Sequence, residues 1–444
     1  MYYQVPSYKA ILAVAFPVMF GVLVEFIVAF IDTLFLGRVS ELALNTAGNA
    51  ALIYMTFFMT SQGLSSAMQI LIARRYGQQK YQQCGEILGQ GVLLLLGFAV
   101  FLIISFILLG QKLIPLSVDN QDIALAMDDF LSIRCFGYLF ALPQLAMVSF
   151  YTGIGKTKVL IGSTLILSGV NILGDYLLIH GAWGFPEMGA NGAALASVIA
   201  ELTSFIFLIC YTQFYRIKHA SLGIGALVWK KASIYKTINL GAPLMVQSFL
   251  SLASWTIFFL FIEKLGSEQL AMSQLVRTLY FLAFIPIMGF TVATKTFISQ
   301  AIGQGEINAV YSIINKCLIL GLAITILTAH GVWLYPEVLV SFIVDQDYLI
   351  KGAAEILSVL FPSMLLFSIS GVLFSAVSGS GNTRMVLLIE ALSILIYLYA
   401  AYWLTIKYPQ PVHYVWMLEY LYFGFLILAS VWYLKSGHWK KLTV

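Results

Sequence analysis

The chain has 444 residues, 60% of them hydrophobic and only 10% charged, with a formal net charge of +4 at pH 7. Soluble domains carry about 25% charged residues, so a soluble enzyme is excluded, and so small a net charge gives no reason to expect a nucleic-acid partner. The apolar character runs the whole length, which predicts an all-α polytopic membrane protein rather than a domain with an anchor.

The first apolar run, residues 11–37, reads ILAVAFPVMFGVLVEFIVAFIDTLFLG and is long enough to cross a bilayer with tilt. Three residues in it do not suit a plain lipid-facing helix. Pro17 removes a backbone hydrogen bond, so a hinge is expected there. Glu25 and Asp32 are carboxylates two helical turns apart, hence on one face. A charge at that depth costs several kcal/mol unless it is paired, protonated or hydrated.

Further apolar runs follow near 43–76, 85–110, 122–154, 157–180, 190–213, 234–262, 267–302, 307–334, 348–379, 384–406 and 412–434. Twelve transmembrane helices are therefore expected. Most connections are short. The exceptions are a basic linker over 214–233 and a loop over 335–347 that carries a short amphipathic piece. With the N-terminus inside, Lys and Arg favour the inner loops roughly threefold, which sets both termini in the cytoplasm. No signal peptide is evident. Cys84, Cys135, Cys210 and Cys317 show no pairing or metal spacing and are expected to be reduced thiols.

One register relates the two halves. Pro17 and Pro243, Gly77 and Gly303, and the turn residues Gly153, Gly155, Thr157 against Gly379, Gly381, Thr383 are all separated by the same interval. The chain thus reads as two six-helix lobes, 1–213 and 234–444, joined by the 214–233 linker and related by a parallel internal repeat. The same shift carries Glu25 to Ser251, Asp32 to Phe258 and Asp175 to Ala401. The acids of the outer membrane half are accordingly expected in the first repeat alone.

In the fifth span Asn171 and Asp175 lie one turn apart on one face. With the N-terminus inside, spans 1 and 5 run outward and span 6 inward, so Asp32, Asn171, Asp175 and Ser197 fall at similar depth, with Glu25 about 10 Å deeper at the helical rise. Carboxylate, amide and hydroxyl oxygens are hard ligands, suited to Na⁺. Two adjacent carboxylates in low dielectric cannot both stay ionised, so the same pair suits a proton. The plainer alternative is that Asp32 and Asp175 only neutralise a base such as Arg134 or Arg277. Glu201, Glu390, Lys295 and Lys316 read equally as structural pairs or snorkelling ends and as pathway residues. No phosphate loop, nucleophile elbow or HExxH motif occurs, so no catalytic residues and no resident cofactor are expected.

These residues resemble the MATE (multidrug and toxic compound extrusion) transporters. The resemblance rests on the proline and aspartate of span 1, the Asn-xxx-Asp of span 5, the IARRYGQQ end of span 2 and the TGIGKTK turn after span 4. It covers nearly the whole chain and is similar to the DinF-type and archaeal branch. It implies a secondary multidrug antiporter that exports lipophilic, often cationic compounds in exchange for H⁺ or Na⁺. Cation coupling then falls on Asp32, Asn171, Asp175 and Ser197, with Asp32, Asn171 and Asp175 as metal ligands if Na⁺ is the ion. Glu25, Asp32 and Asp175 are the expected substrate contacts, and Pro17 the hinge. A monomer in the inner membrane is expected. The acid that the NorM-type branch carries in span 7 is absent, since that stretch reads PLMVQSFLSLASW. The rival reading is a lipid-linked oligosaccharide or lipid-precursor flippase, which would want several basic residues around its cavity.

Overall fold

The computed structural model describes residues 5–218 and 229–441, apart from 117 and 119. Long helices follow one another as α1 (Tyr8–Val39), α2 (Glu41–Gly77), α3 (Tyr81–Leu113), α4 (Gln121–Gly153), α5 (Lys158–His180) and α6 (Ala190–Lys218). The second series is α7 (Lys231–Glu263), α8 (Ser267–Gly303), α9 (Ala309–Leu334), α10 (Asp347–Gly379), α11 (Thr383–Lys407) and α12 (Val412–Ser436). Eleven of these are apolar and long enough to cross a membrane, and the bent α8 makes the twelfth. The twelve expected spans are thus present, and the amphipathic piece of the 335–347 loop is the short helix Pro336–Ser341. Half of the basic linker expected over 214–233, residues 219–228, lies outside the described residues.

In a bilayer only a helix satisfies all its own backbone groups, so each apolar run folds as one and the polar links set its ends. Ser40 caps α2 by accepting from the Ala43 N–H at 3.0 Å. Gly181, at φ 66°, takes the left-handed conformation that ends α5. α1 runs unbroken through Pro17. The bend of 44° instead falls in α8 between Phe281 and Ala283. Pro286 lies four residues past Leu282 and has no N–H to give its carbonyl.

The chain divides into two compact units, Phe20–Met245 and Met1–Met19 with Val246–Val444. Each division falls inside a helix, α1 after Met19 and α7 after Met245, in both cases two residues past a proline. Glycines accept these exchanged ends. A Cβ on Gly63 of α2 would meet the backbone of Leu244 and Met245 in α7. A Cβ on Gly289 of α8 would lie 2.7 Å from the Ala15 carbonyl of α1 and against Met19. Gly63 and Gly289 are repeat equivalents, as are Met19 and Met245, so the crossing is built twice.

Lipid is as apolar as leucine, so close packing rather than burial from water holds such helices together. The Phe20–Met245 unit packs Leu36, Ala47, Ala50, Met127, Phe130, Ile179 and Ala194 into one core. The other unit centres on aromatic residues: Trp255 stacks on Tyr280 at 6.1 Å, and Phe258 meets the Trp416 ring edge-on at 5.3 Å.

Candidate functional site

The site lies wholly in the Phe20–Met245 unit, where α1 approaches α5. Gly21 of α1 has no side chain, and a Cβ there would sit 3.4 Å from Thr164 Oγ1 of α5. Three turns further along both helices, the Asp32 and Asp175 carboxyls come within hydrogen-bonding reach of each other. Equal intervals on two parallel helices keep one register between them, so Glu25 stands level with Ser168 and Val28 with Asn171.

Helix α6 closes the other side. A Cβ on Gly174 would lie 2.9 Å from that of Ala196, and one on Gly192 would reach within 2.5 Å of the Leu178 carbonyl, so α5 and α6 pack through small residues. That approach lets Asn171 Nδ2 donate to Ser197 Oγ at 3.3 Å and sets Ser163 Oγ 2.7 Å from Ser204 Oγ. Asp175 is fully buried and Asn171 and Ser168 nearly so, while Asp32 is half-buried. Asp32 Oδ1, Asn171 Oδ1, both Asp175 oxygens and Ser168 Oγ are buried without a hydrogen-bond partner. Orphaned acceptors at this density are costly in low dielectric, and a proton shared by the two carboxyls or a hard cation among them removes that cost.

The structure brings Asp32, Asn171, Asp175 and Ser197 together. Glu25 stays on the α1 stripe, exposed. Ser168 escaped the sequence reading although it lies three residues before Asn171 and seven before Asp175. A search of that face for hydroxyls as well as acids finds it. Both bases named in the plainer alternative have other partners. Arg134 gives Nη2 to Glu201 Oε1 at 2.6 Å and Nη1 to Glu201 Oε2 at 2.9 Å, and Arg277 lies over the Phe259 ring at 5.1 Å.

One expectation is corrected. Acids at the outer ends of the spans are not confined to the first repeat, because Glu419, seven residues into α12 at the end the expected topology sets outside, is 3% exposed; Glu390 of α11, already read as a buried polar group, is 2% exposed. Among the described residues neither pairs with a base. Glu390 accepts from Ser251 Oγ and from Tyr422 Oη at 2.8 Å. Glu419 accepts from Tyr397 Oη at 3.0 Å and Tyr280 Oη at 3.4 Å. Shifting the first-repeat acids by the repeat interval misses both, because here the acid sits on a different helix. Ser251 holds the place of Glu25, and Glu390 that of Thr164. Among the described residues no group of three or more His, Cys, Asp or Glu side chains is placed to hold a metal ion.

The MatE family model matches residues 17–177 and again residues 243–403, which restates the repeat at the interval read from the prolines. A probable multidrug resistance protein NorM from Synechocystis is 23% identical over 435 residues, covering 96% of this chain and 93% of its own. Multidrug and toxin extrusion protein 1 of Rattus norvegicus is 24% identical over 396 residues, covering 86% of this chain and 67% of its own. Among solved structures, an outward-facing multidrug resistance MATE family transporter of the MOP superfamily superposes with a TM-score of 0.89 at 15% identity, over 97% of this chain and 95% of that one. A MOP superfamily transporter from Pyrococcus furiosus, titled for a binding pocket of reversed polarity, superposes with a TM-score of 0.83 at 16% identity, over 97% and 95% of the two chains. With both repeats matched by one family model and twelve membrane helices in place, the chain belongs to the MATE family of membrane transporters.

Proposed function

We propose that the protein exports lipophilic, cationic organic compounds across the membrane in exchange for protons, with the coupling proton held between Asp32 and Asp175. The observation that carries this reading is the contact of these two carboxyls, with both Asp175 oxygens and Asp32 Oδ1 otherwise unpartnered. Such a pair needs a positive charge or a shared proton to persist. Antiport then follows from competition: the proton-loaded and drug-loaded forms favour different conformations. Glu25, on the same stripe of α1, supplies a second negative charge for a cationic substrate, and Pro17 is the point about which α1 flexes. The protein works as a monomer in the inner membrane with both termini cytoplasmic.

Sodium is the second reading, favoured by Asn171 Oδ1 and Ser197 Oγ, which add neutral hard oxygens to the carboxylates. The flippase reading finds little support in the bases. Arg134 is fully engaged by Glu201, and Lys316 donates to the Pro6 carbonyl at 3.0 Å.

The test is efflux of a fluorescent lipophilic cation from proteoliposomes under an imposed pH or Na⁺ gradient. Export driven by the pH gradient, and reduced about tenfold or more in Asp32→Asn and in Asp175→Asn, is the expected result. Export by both variants at the wild-type rate would return the carboxylates to a structural role. Export driven by the Na⁺ gradient alone would select the second reading.

A further inference from the structure

We propose that Glu201 is a positioning residue that holds the Arg134 guanidinium away from the Asp32/Asp175 site, leaving that site in need of a transported cation. The inference rests on the coupling role given to this carboxyl pair, and adds a function for a buried ion pair that the coupling scheme does not use.

The pair is built from several elements. Arg134 stands at the end of the first segment of α4, immediately before a turn of 3-10 helix at Cys135–Gly137. Glu201 of α6 receives both edges of its guanidinium fork. The guanidinium carbon lies 3.7 Å from the centroid of the Tyr54 ring of α2. Tyr54 is stacked on Tyr138 at 4.3 Å, and Tyr138 Oη donates to the Tyr54 carbonyl at 3.0 Å. Tyr54 Oη also donates to Glu201 Oε1 at 3.1 Å. Gly137 makes room for all of this, because a Cβ there would strike both Arg134 Nη1 and Glu201 Oε2.

The pair nevertheless stands close to the site, because Glu201 lies one helical turn beyond Ser197 on the face of α6 that meets Asn171. The groups packed around it are Tyr54 on α2, Tyr138 on α4 and Glu201 on α6. The carboxyls of Asp32 and Asp175 hold three unpartnered oxygens, and a guanidinium fork is the side chain best matched to paired carboxylate acceptors. Without Glu201, the same arginine would have a strong reason to turn to them. A site neutralised permanently by an arginine would no longer exchange a cation. Glu201 is therefore the group that makes the difference between an internal salt bridge and a site that must take up a cation.

The alternative is an ordinary structural ion pair, and the two differ in what they predict for paired replacements. Breaking a structural pair from one side leaves a buried charge and costs stability, and it does not reach the chemistry of Asp32 or Asp175. The measurement is labelling of those two carboxyls in the purified full chain by dicyclohexylcarbodiimide, which adds to a protonated buried carboxyl and not to one bridged to arginine. The modified residues are mapped by mass spectrometry. The expected result is labelling in the wild type, a fall of about tenfold in Glu201→Gln, and recovery to within about twofold of wild type in the Arg134→Gln, Glu201→Gln double variant. Glu201→Asp keeps the charge but shortens the reach, and an intermediate level is expected there even if Glu201→Gln folds poorly.

Wild-type labelling in Glu201→Gln, a double variant as unreactive as the single, or Glu201→Asp at the wild-type level would each overturn the proposal. So would an unlabelled wild type, whose site would then have no protonated carboxyl to protect. The label reads the carboxyls directly, so its outcome is independent of which compound, if any, is exported.

Discussion

At the scale of single residues, the molecule contains three kinds of buried carboxylate, distinguished by their partners. Glu201 is ion-paired, Glu390 and Glu419 are held by hydroxyls alone, and Asp175 has no donor at all. The hydroxyl-held kind gives a stability prediction. Tyr397→Phe removes the shorter of the two bonds to Glu419 and leaves that acceptor short of a donor, a loss of about 1–3 kcal/mol. Glu419→Gln keeps the shape and removes the buried acid, so its effect is expected within about 1 kcal/mol of zero. Thermal unfolding of the purified protein distinguishes them. A Gln variant that melts lower than the Phe variant would mean that the charge itself holds the α11–α12 packing.

At the scale of elements, the exchanged ends of α1 and α7 depend on glycines that leave no room for a side chain. Gly63→Ala and Gly289→Ala each force a methyl group into a backbone, an overpacking cost of about 1–3 kcal/mol. Gly97 of α3 has nothing within 4 Å of where its Cβ would stand. Gly97→Ala is expected to be neutral or to stabilise by up to about 1 kcal/mol, from the lower backbone entropy of alanine. Melting temperatures of the three variants check this directly. Equal melting of all three would show that α1 and α7 yield readily at these crossings.

At the scale of the whole molecule, the N-terminal end of α1 belongs to the same compact unit as α9. Lys316 of α9 donates to the Pro6 carbonyl at 3.0 Å and lies 5.7 Å from the centroid of the Tyr8 ring. Lys316→Met removes both contacts and keeps the stem, so the segment before α1 should open more often. Limited trypsin digestion after the exposed Lys9 is expected to speed up severalfold, as local opening becomes cheaper by about 1 kcal/mol. An unchanged rate would show that the packing of α1 alone fixes its N-terminal end.

The sequence by itself determined the class, the number of spans and the repeat. Each is a property of chain-local physics: a run of apolar residues in lipid must become a helix, and Pro17 with Pro243 or Gly77 with Gly303 fixes a register without reference to packing. The Asn171–Asp175 pairing on one face was equally local, since one helical turn relates them. Which helix would stand against which was not local. Only the tertiary structure put Asp32 against Asp175, matched Glu25 to the level of Ser168, and turned Arg134 toward Glu201 instead of toward the aspartates. It alone exposed Glu419 as a buried acid and gave Glu390 its partners, because Tyr422, Tyr397 and Tyr280 come from other helices. Which stretches of chain make up each compact unit was also decided there, since the exchange of α1 and α7 depends on the absence of two Cβ atoms on α2 and α8. A glycine in a helix reads in sequence only as a weak helix former, and what it makes room for is settled by the neighbour that arrives.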